Sequence, residues 1–283
     1  MKAAIAGDNG AEIRDLPKPE PGPNEVVIRA RASSLNRADL LATSRGGGAR
    51  LGLECAGEVD AVGNAVTGIK PGDRVLASAA GGFAEYVVTA GRLKRGETLL
   101  MQGASSGVGL MGMQIGKLMG ASLVIGTSTD PQRRARLKEF GCDLALDSSD
   151  PKWPQEVRKA TADKGVDVIV DMISGSVVNQ NLEAAAVLGR IVNVGRLGGN
   201  KGEFNFDVHA LKRIDYIGVT FRTRSLDEIG EINRLLRADL WPSVEAGKLS
   251  LPIYKTYLLD DIADALSLMR ANQHFGKIAI SIA

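Results

Sequence analysis

Cysteine is scarce. The 283 residues hold two, Cys55 and Cys142, too few for the disulfide framework of a small secreted domain. Both thiols are expected to be reduced, as in the cytoplasm. Histidine is equally scarce, so a tetrahedral zinc site of His and Cys alone would need both cysteines together with His209 and His274. Charge of one sign is missing: 35 Lys and Arg against 33 Asp and Glu leave +2. That balance argues against the concentrated basic face that nucleic acid or an anionic membrane surface requires. No apolar run approaches the roughly 20 residues that cross a bilayer. The opening Met1-Lys2-Ala3-Ala4-Ile5-Ala6-Gly7-Asp8 lacks the apolar stretch of a secretory signal. Aromatics are few, whereas glycine reaches 34 residues, the mark of tight turns and close backbone approaches. With 44% hydrophobic and 24% charged residues, the chain can bury an ordinary core, and its length suits two domains.

Residues 1–90 read as β-rich. Short β-branched runs occur at 1–5 and 25–32, separated by Pro17-Lys18-Pro19-Glu20-Pro21-Gly22-Pro23, an extended loop that cannot donate to a ladder. Residues 57–63 and 71–76 read as strands connected through Pro71-Gly72, and 83–89 as another; such spacing suggests a small barrel. From Glu97 the rhythm changes. Apolar strands at 98–102, 123–126, 143–146, 166–171, 190–195 and 214–220 alternate with helical patterns, one of them opening at Asp130-Pro131 with Asp as cap and Pro in the first turn. Fully apolar strands alternating with helices predict a doubly wound parallel sheet. Amphipathic helices at 225–237 and 259–270 and a strand at 276–282 complete the chain.

Gly103-Ala104-Ser105-Ser106-Gly107-Val108-Gly109 follows the first strand of that sheet and opens its first helix, the context of a dinucleotide phosphate loop. Gly103, Ser105, Ser106, Gly107 and Val108 are the expected phosphate contacts, because a helix N-terminus offers unpaired N–H groups to an anion. The second strand then ends in Gly126-Thr127-Ser128-Thr129, without the acid that NAD binders place there. Arg133, Arg134 and Arg136 follow one turn on. They suit a solvated helix face; they also suit a 2′-phosphate, which guanidinium binds bidentately. The second reading favours NADPH, with Thr127, Ser128 and Arg133 at its ribose end.

Several stretches together resemble the zinc-free quinone oxidoreductases, the zeta-crystallin-like branch of the medium-chain dehydrogenase/reductase superfamily. They are Ser33-Ser34-Leu35-Asn36-Arg37-Ala38-Asp39-Leu40, residues 51–59, Ile69-Lys70-Pro71-Gly72-Asp73-Arg74-Val75, residues 81–86, the phosphate loop, and Phe275-Gly276-Lys277-Ile278. The resemblance implies a GroES-like catalytic domain, residues 1–96 plus 223–283, with a Rossmann cofactor domain, residues 97–222, inserted into it. It assigns Asn36 an orienting role at the nicotinamide, although the residue also suits a turn capping the next helix. It carries over as cofactor contacts Ser148, then Gly195, Arg196 and Leu197 after the fifth strand, Thr220, Phe221 and Arg222 after the sixth, and Asn272 before the last. Leu53 stands where zinc-dependent relatives carry histidine, so the implied chemistry is metal-free hydride transfer from NADPH to a quinone or enone. A homodimer through the edge strand at 214–220 is implied as well.

Two stretches are shorter than the family pattern: the loop at 43–50, which lacks a tyrosine, and the approach to Lys94 after Thr89. A short-chain dehydrogenase is excluded, since its Tyr-x-x-x-Lys pair needs lysine where Ala90, Thr220, Leu258 and Asp261 stand. A second enzyme reading reduces the C=C bond of an enone or enoyl thioester. A third is a non-catalytic, crystallin-like NADPH-binding protein.

Overall fold

The structure, a computed structural model, describes residues 1–8, 10–45, 47–48, 50–78, 93–220 and 223–282. The chain divides into two units, Met1–Gly81 with Pro252–Ala283, and Gly82–Leu251. The strand expected at 83–89, the shortened approach to Lys94 as far as residue 92, and the expected contacts Phe221 and Arg222 lie outside the described residues.

The first unit opens with a hairpin of β1 (Lys2–Gly7) and β2 (Gly10–Asp15), paired Lys2 to Asp15 through Gly7 to Gly10. The sequence carries no sign of β2, whose Gly-Ala-Glu-Ile-Arg-Asp lacks a β-branched run. The proline-rich stretch that follows has no regular structure through Gly22, as expected. Strand β3 (Val26–Ser34) leads into helix α1 (Arg37–Arg45), then β4 (Glu54–Val62) and β5 (Arg74–Ser78). Strands β3 and β4 are antiparallel, with register shifts at Val27/Ile28 and Ala30/Ala32. Gly57 sits opposite, where a Cβ would lie 2.2 Å from the Arg29 carbonyl oxygen, so only glycine lets the strands close there.

The second unit alternates β6 (Thr98–Gln102), α2 (Gly107–Leu118), β7 (Leu123–Thr127), α3 (Pro131–Arg136), β8 (Leu144–Leu146), α4 (Trp153–Ala160), β9 (Val166–Asp171), α5 (Val178–Ala184), β10 (Ala185–Asn193), α6 (Phe206–Lys212) and β11 (Asp215–Gly218), followed by α7 (Leu226–Asp239) and α8 (Trp241–Glu245). The six strands form one parallel sheet in the order β11-β10-β9-β6-β7-β8. This is the expected doubly wound sheet. Chain direction across the sheet reverses between β6 and β9, the switch point beside which such folds bind ligands. Leu100, Ile125, Trp153, Ile169, Leu182 and Ile191 make its core. Helices α7 and α8 fall in this unit, whereas the sequence reading placed residues 223–251 with the first. A doubly wound sheet follows each parallel strand with a covering element, and no composition break marks where the last one ends.

The chain then returns to the first unit with β12 (Ile253–Leu258), helix α9 (Ile262–Ala271) and β13 (Lys277–Ser281). Strand β13 pairs antiparallel with β3 and parallel with β12, which gives a mixed sheet in the order β12-β13-β3-β4-β5 built from N-terminal and C-terminal segments. Ile262, Ala265, Leu266 and Met269 of α9 pack with Ala4, Leu35, Ile278 and Ile280.

Candidate active site

In the second unit the phosphate loop begins at Gly103, whose φ of 70° is the left-handed turn that glycine takes without penalty. Ser106 caps α2: its hydroxyl accepts the Gly109 N–H at 3.1 Å and donates to the Gly103 carbonyl at 2.9 Å. The capping oxygen is therefore spent inside the loop. A Cβ on Gly109 would lie 2.5 Å from Ala104 Cα, so the last glycine of the motif lets helix and loop touch. Gly109 bonds the cap and Leu110 bonds the Ser106 carbonyl at 2.9 Å. Among the described residues the N–H groups of Gly107 and Val108 are left for a ligand, the orphan donors of a helix start. The residues fit a pyrophosphate.

The residues expected at the ribose end are Thr127, Ser128 and Arg133. Thr127 is fully buried; its hydroxyl donates to Gln102 Oε1 at 2.6 Å and accepts the Gly103 N–H at 3.1 Å. It props the loop from beneath, both bonds of its hydroxyl running to the strand and loop residues Gln102 and Gly103. Ser128 meets Ser105, hydroxyl to hydroxyl, at 3.2 Å. Arg133 lies on α3 with Nε 3.7 Å from Asp130, the residue that also caps this helix. Asp130 is held below the usual carboxylate range by the Arg133 N–H and guanidinium. Arg134 donates to the Ser128 carbonyl at 2.9 Å and pairs with Asp147 at 3.0 Å, so it is a strut. Ser148, half-buried, follows β8.

A chain of buried polar groups that the sequence reading missed runs under these loops. Gln102 donates to Asn181 at 2.8 Å, and Asn181 donates to Asp171 at 3.0 Å. The other Asp171 oxygen accepts the N–H groups of Ile173 and Ser174 at 2.8 and 2.9 Å. Burial pushes the Asp171 carboxyl upward, and the two N–H groups and Asn181 oppose that shift. Ser174, held at a φ of 58°, donates to the Gly195 carbonyl at 2.6 Å and accepts from Asn193, which lies 3.3 Å from the Tyr216 hydroxyl. The available signal was position: Gln102, Asp171 and Asn193 each end an apolar parallel strand, and carboxyl ends carry the site in this architecture. Above the ends of β9 and β10 a cavity of about 260 Å³ is lined by Ser174, Asn193, Arg196, Lys201, Phe204 and Tyr216. Gly195 is half-buried; Arg196 and Leu197 are exposed beside it, and Thr220 lies past β11.

In the first unit Asn36 precedes α1. Its N–H donates to Asp39 Oδ2 at 2.7 Å, while Asp39 Oδ1 accepts the Gly52 N–H at 3.0 Å. Burial raises the Asp39 carboxyl and the two N–H groups pull it back. Lys277 donates to Asn36 Oδ1 at 3.0 Å and stands 3.1 Å from Glu54. Asn272, expected at the cofactor, ends α9 at a φ of 55° and accepts from Arg37; a left-handed helix end explains an asparagine there. Among the described residues no group of three or more His, Cys, Asp or Glu side chains is placed to hold a metal ion, and no helix is long and apolar enough to cross a membrane.

Residues 22–118 match the alcohol dehydrogenase GroES-like domain family and residues 107–237 the zinc-binding dehydrogenase family. The chain belongs to the medium-chain dehydrogenase/reductase superfamily. A quinone oxidoreductase of Pseudomonas syringae is 25% identical, with a TM-score of 0.85 over 99% of both chains. An Escherichia coli quinone oxidoreductase complexed with NADPH shares the fold, at 19% identity and a TM-score of 0.85 over 99% of this chain and all of that one. A mycocerosic acid synthase-like polyketide synthase of Mycobacterium tuberculosis is 26% identical over 311 positions; 93% of this chain aligns, but only 14% of that protein. The chain thus spans about a seventh of the length of the curated relatives it matches. The aligned positions outnumber the residues of the whole chain, so the relative carries insertions that this oxidoreductase lacks.

Proposed function

We propose that this oxidoreductase takes NADPH and reduces a quinone or similar conjugated carbonyl without a metal. The observation that carries the reading is the second-strand turn: Ser128 joined to Ser105, Arg133 beyond, and Asp130 spent on capping and on Arg133. No carboxylate at the strand end repels a 2′-phosphate. NADPH, once bound, supplies the hydride. The chain's own part is to seat the pyrophosphate on Gly107 and Val108, to read the 2′-phosphate with Ser128 and Arg133, and to hold the nicotinamide end with Gly195, Arg196, Leu197 and Thr220. Ser148 borders the adenine end. Asn36, whose amide does not titrate, orients by hydrogen bonding; Phe221, Arg222 and Asn272 complete the assigned contacts. Leu53, in place of a zinc-ligating histidine, fits the same reading.

The polyketide synthase relatives favour a second reading, reduction of the C=C bond of an enone or enoyl thioester. NADPH oxidation against a panel of quinones, enones and enoyl thioesters decides between them. Turnover confined to quinones supports the first, turnover of the alkenes supports the second, and tight NADPH binding without turnover supports a binding protein. A homodimer through β11 belongs to the same reading. Among the described residues that strand ends the sheet with an unpaired ladder edge, and the helix before it exposes Phe206 (74%) and Leu211 (77%). A monomer at micromolar concentration by sedimentation would refute the pairing.

A further inference from the structure

Lys277 has a role in none of the steps above, yet its ammonium is placed by three oxygens: Leu35 O at 3.2 Å, Asn36 Oδ1 at 3.0 Å and Glu54 Oε1 at 3.1 Å. The Ser34 hydroxyl donates to the same Glu54 oxygen. The Lys277 and Glu54 side chains are 20% and 32% exposed, a partly sheltered pair. The Asn36 backbone is pinned separately through Asp39. Strand β13 thus reaches the Asn36 amide directly, and the start of β4 reaches it through Lys277.

An asparagine amide donates from one end and accepts at the other, so its orientation decides what a ligand meets. An ammonium has donors only; beside Lys277, the amide must present its oxygen to the lysine. Asn36 Nδ2 keeps, among the described residues, a single 3.4 Å approach to the Ser34 carbonyl, too long to hold it strongly. We propose that Lys277, backed by Glu54, is a positioning residue that fixes Asn36 as a hydrogen-bond donor, so that the site takes a carbonyl oxygen at that point. This rests on Asn36 lying at the reacting end of the cofactor, as read above. The oxygen belongs to the nicotinamide carboxamide or to the acceptor. Glu54 neutralises the lysine, so the cluster orients without adding net charge.

The test uses the full chain as wild type and as Lys277→Met, Lys277→Arg, Asn36→Asp and the Lys277→Met/Asn36→Asp double variant. In ligand-free protein, the Asn36 side-chain amide resonances, assigned by their loss in Asn36→Asp, should move in Lys277→Met and return toward wild type in Lys277→Arg. Resonances unmoved by Lys277→Met overturn the proposal, whatever the reaction proves to be. With NADPH and the best acceptor of the panel, Lys277→Met and Asn36→Asp should each lower kcat/KM at least tenfold. The double variant should be no worse than Asn36→Asp. Multiplying losses would show that Lys277 acts independently and would sink the idea. A tenfold weaker NADPH Kd by fluorescence assigns the oxygen to the carboxamide; an unchanged Kd with a fallen kcat assigns it to the acceptor. If Lys277→Met does not fold, Glu54→Gln loosens the clamp from its other side and should give the same amide shift. Absence of wild-type turnover removes the functional reading and leaves the resonance test standing.

Discussion

In the parallel sheet β6 buries four of its five residues and β9 five of its six, whereas in the antiparallel part of the other sheet β3 buries none of its nine fully and β4 one of nine. The polar residues differ accordingly. Gln102, Thr127, Asp171 and Asn181 are fully buried and satisfy one another in a closed chain. Asn36, Glu54 and Lys277 stay partly exposed and leave Asn36 Nδ2 loosely held. A sheet covered on both faces must satisfy its polar groups internally, since each unpaired one costs its desolvation. A sheet covered on one face can keep a donor for a ligand. The parallel unit closes its buried polar groups on one another; the cluster of the other unit carries a donor with capacity to spare.

The largest test of that contrast is Asp171→Ala against Asp39→Ala. The first leaves three donors without this partner, two of them in buried bonds, and the second leaves two, both in part-buried bonds. At about 1–3 kcal/mol for each orphaned group, Asp171→Ala should lose roughly 4 kcal/mol in urea unfolding and Asp39→Ala roughly half of that. Equal losses would erase the distinction between the sheets. The pH dependence has a stated sign. Burial raises both carboxyls, so the folded state holds their protons above 3.8. The stability associated with those protons is intact below that value and fades as pH rises through the folded pKa. Asp171→Asn, which cannot ionise, should flatten that part of the profile.

Gly109→Ala comes next. Its Cβ meets the Ala104 backbone, which cannot rotate away, so overpacking of about 1–3 kcal/mol should accompany loss of NADPH binding by fluorescence titration. Gly57→Ala meets the Arg29 carbonyl and should destabilise comparably while leaving NADPH affinity unchanged. Affinity lost in both would mean that global instability, and not the phosphate seat, is being read. Arg133→Ala should weaken NADPH at least tenfold, since a charged hydrogen bond contributes about 1.5–3 kcal/mol, and should barely affect NADH. An equal effect on both cofactors would remove the 2′-phosphate assignment.

These residues also show what could be read without coordinates. Strand β6, helix α2, the Asp130 cap and the phosphate loop follow from apolar runs, glycine spacing and cap chemistry, which are local signals. The β2 strand, α8, β12 and the fate of residues 223–251 do not, because they depend on partners distant in the chain. The site divides the same way. The loop and the strand end that carry Ser105 and Ser128 are visible in the sequence, and so is the place of Thr127 at the strand end; the inward direction of its hydroxyl, toward Gln102 and Gly103, is not. The links from Gln102 to Asn181, across 79 residues, and from Asn36 to Lys277, across 241, have no local signature.

The smallest effect separates the two units by their thiols. Cys142 is buried, and burial pushes its pKa up to about 11. Cys55, on β4, is raised by burial too but is only half-buried. A thiolate is the reactive form, so a maleimide at pH 8 should label Cys55 well before Cys142. Each site confirmed by its Cys→Ser variant would settle the order. Raising the pH supplies an independent check on the same side chain. In the unfolded chain Cys142 loses its proton near 9.0, whereas the folded chain keeps it to about 11. Across that window the folded state binds more protons, so stability falls with rising pH by at most about 1.4 kcal/mol per unit. Cys142→Ala should remove that decline, at the expense of a small cavity beside Gly126, whose Cβ position lies 3.1 Å from the Cys142 sulfur. If both thiols react at one rate and the alkaline decline survives in Cys142→Ala, the parallel sheet does not shelter its interior more than the antiparallel one, and the contrast drawn between them fails at its most direct point of measurement.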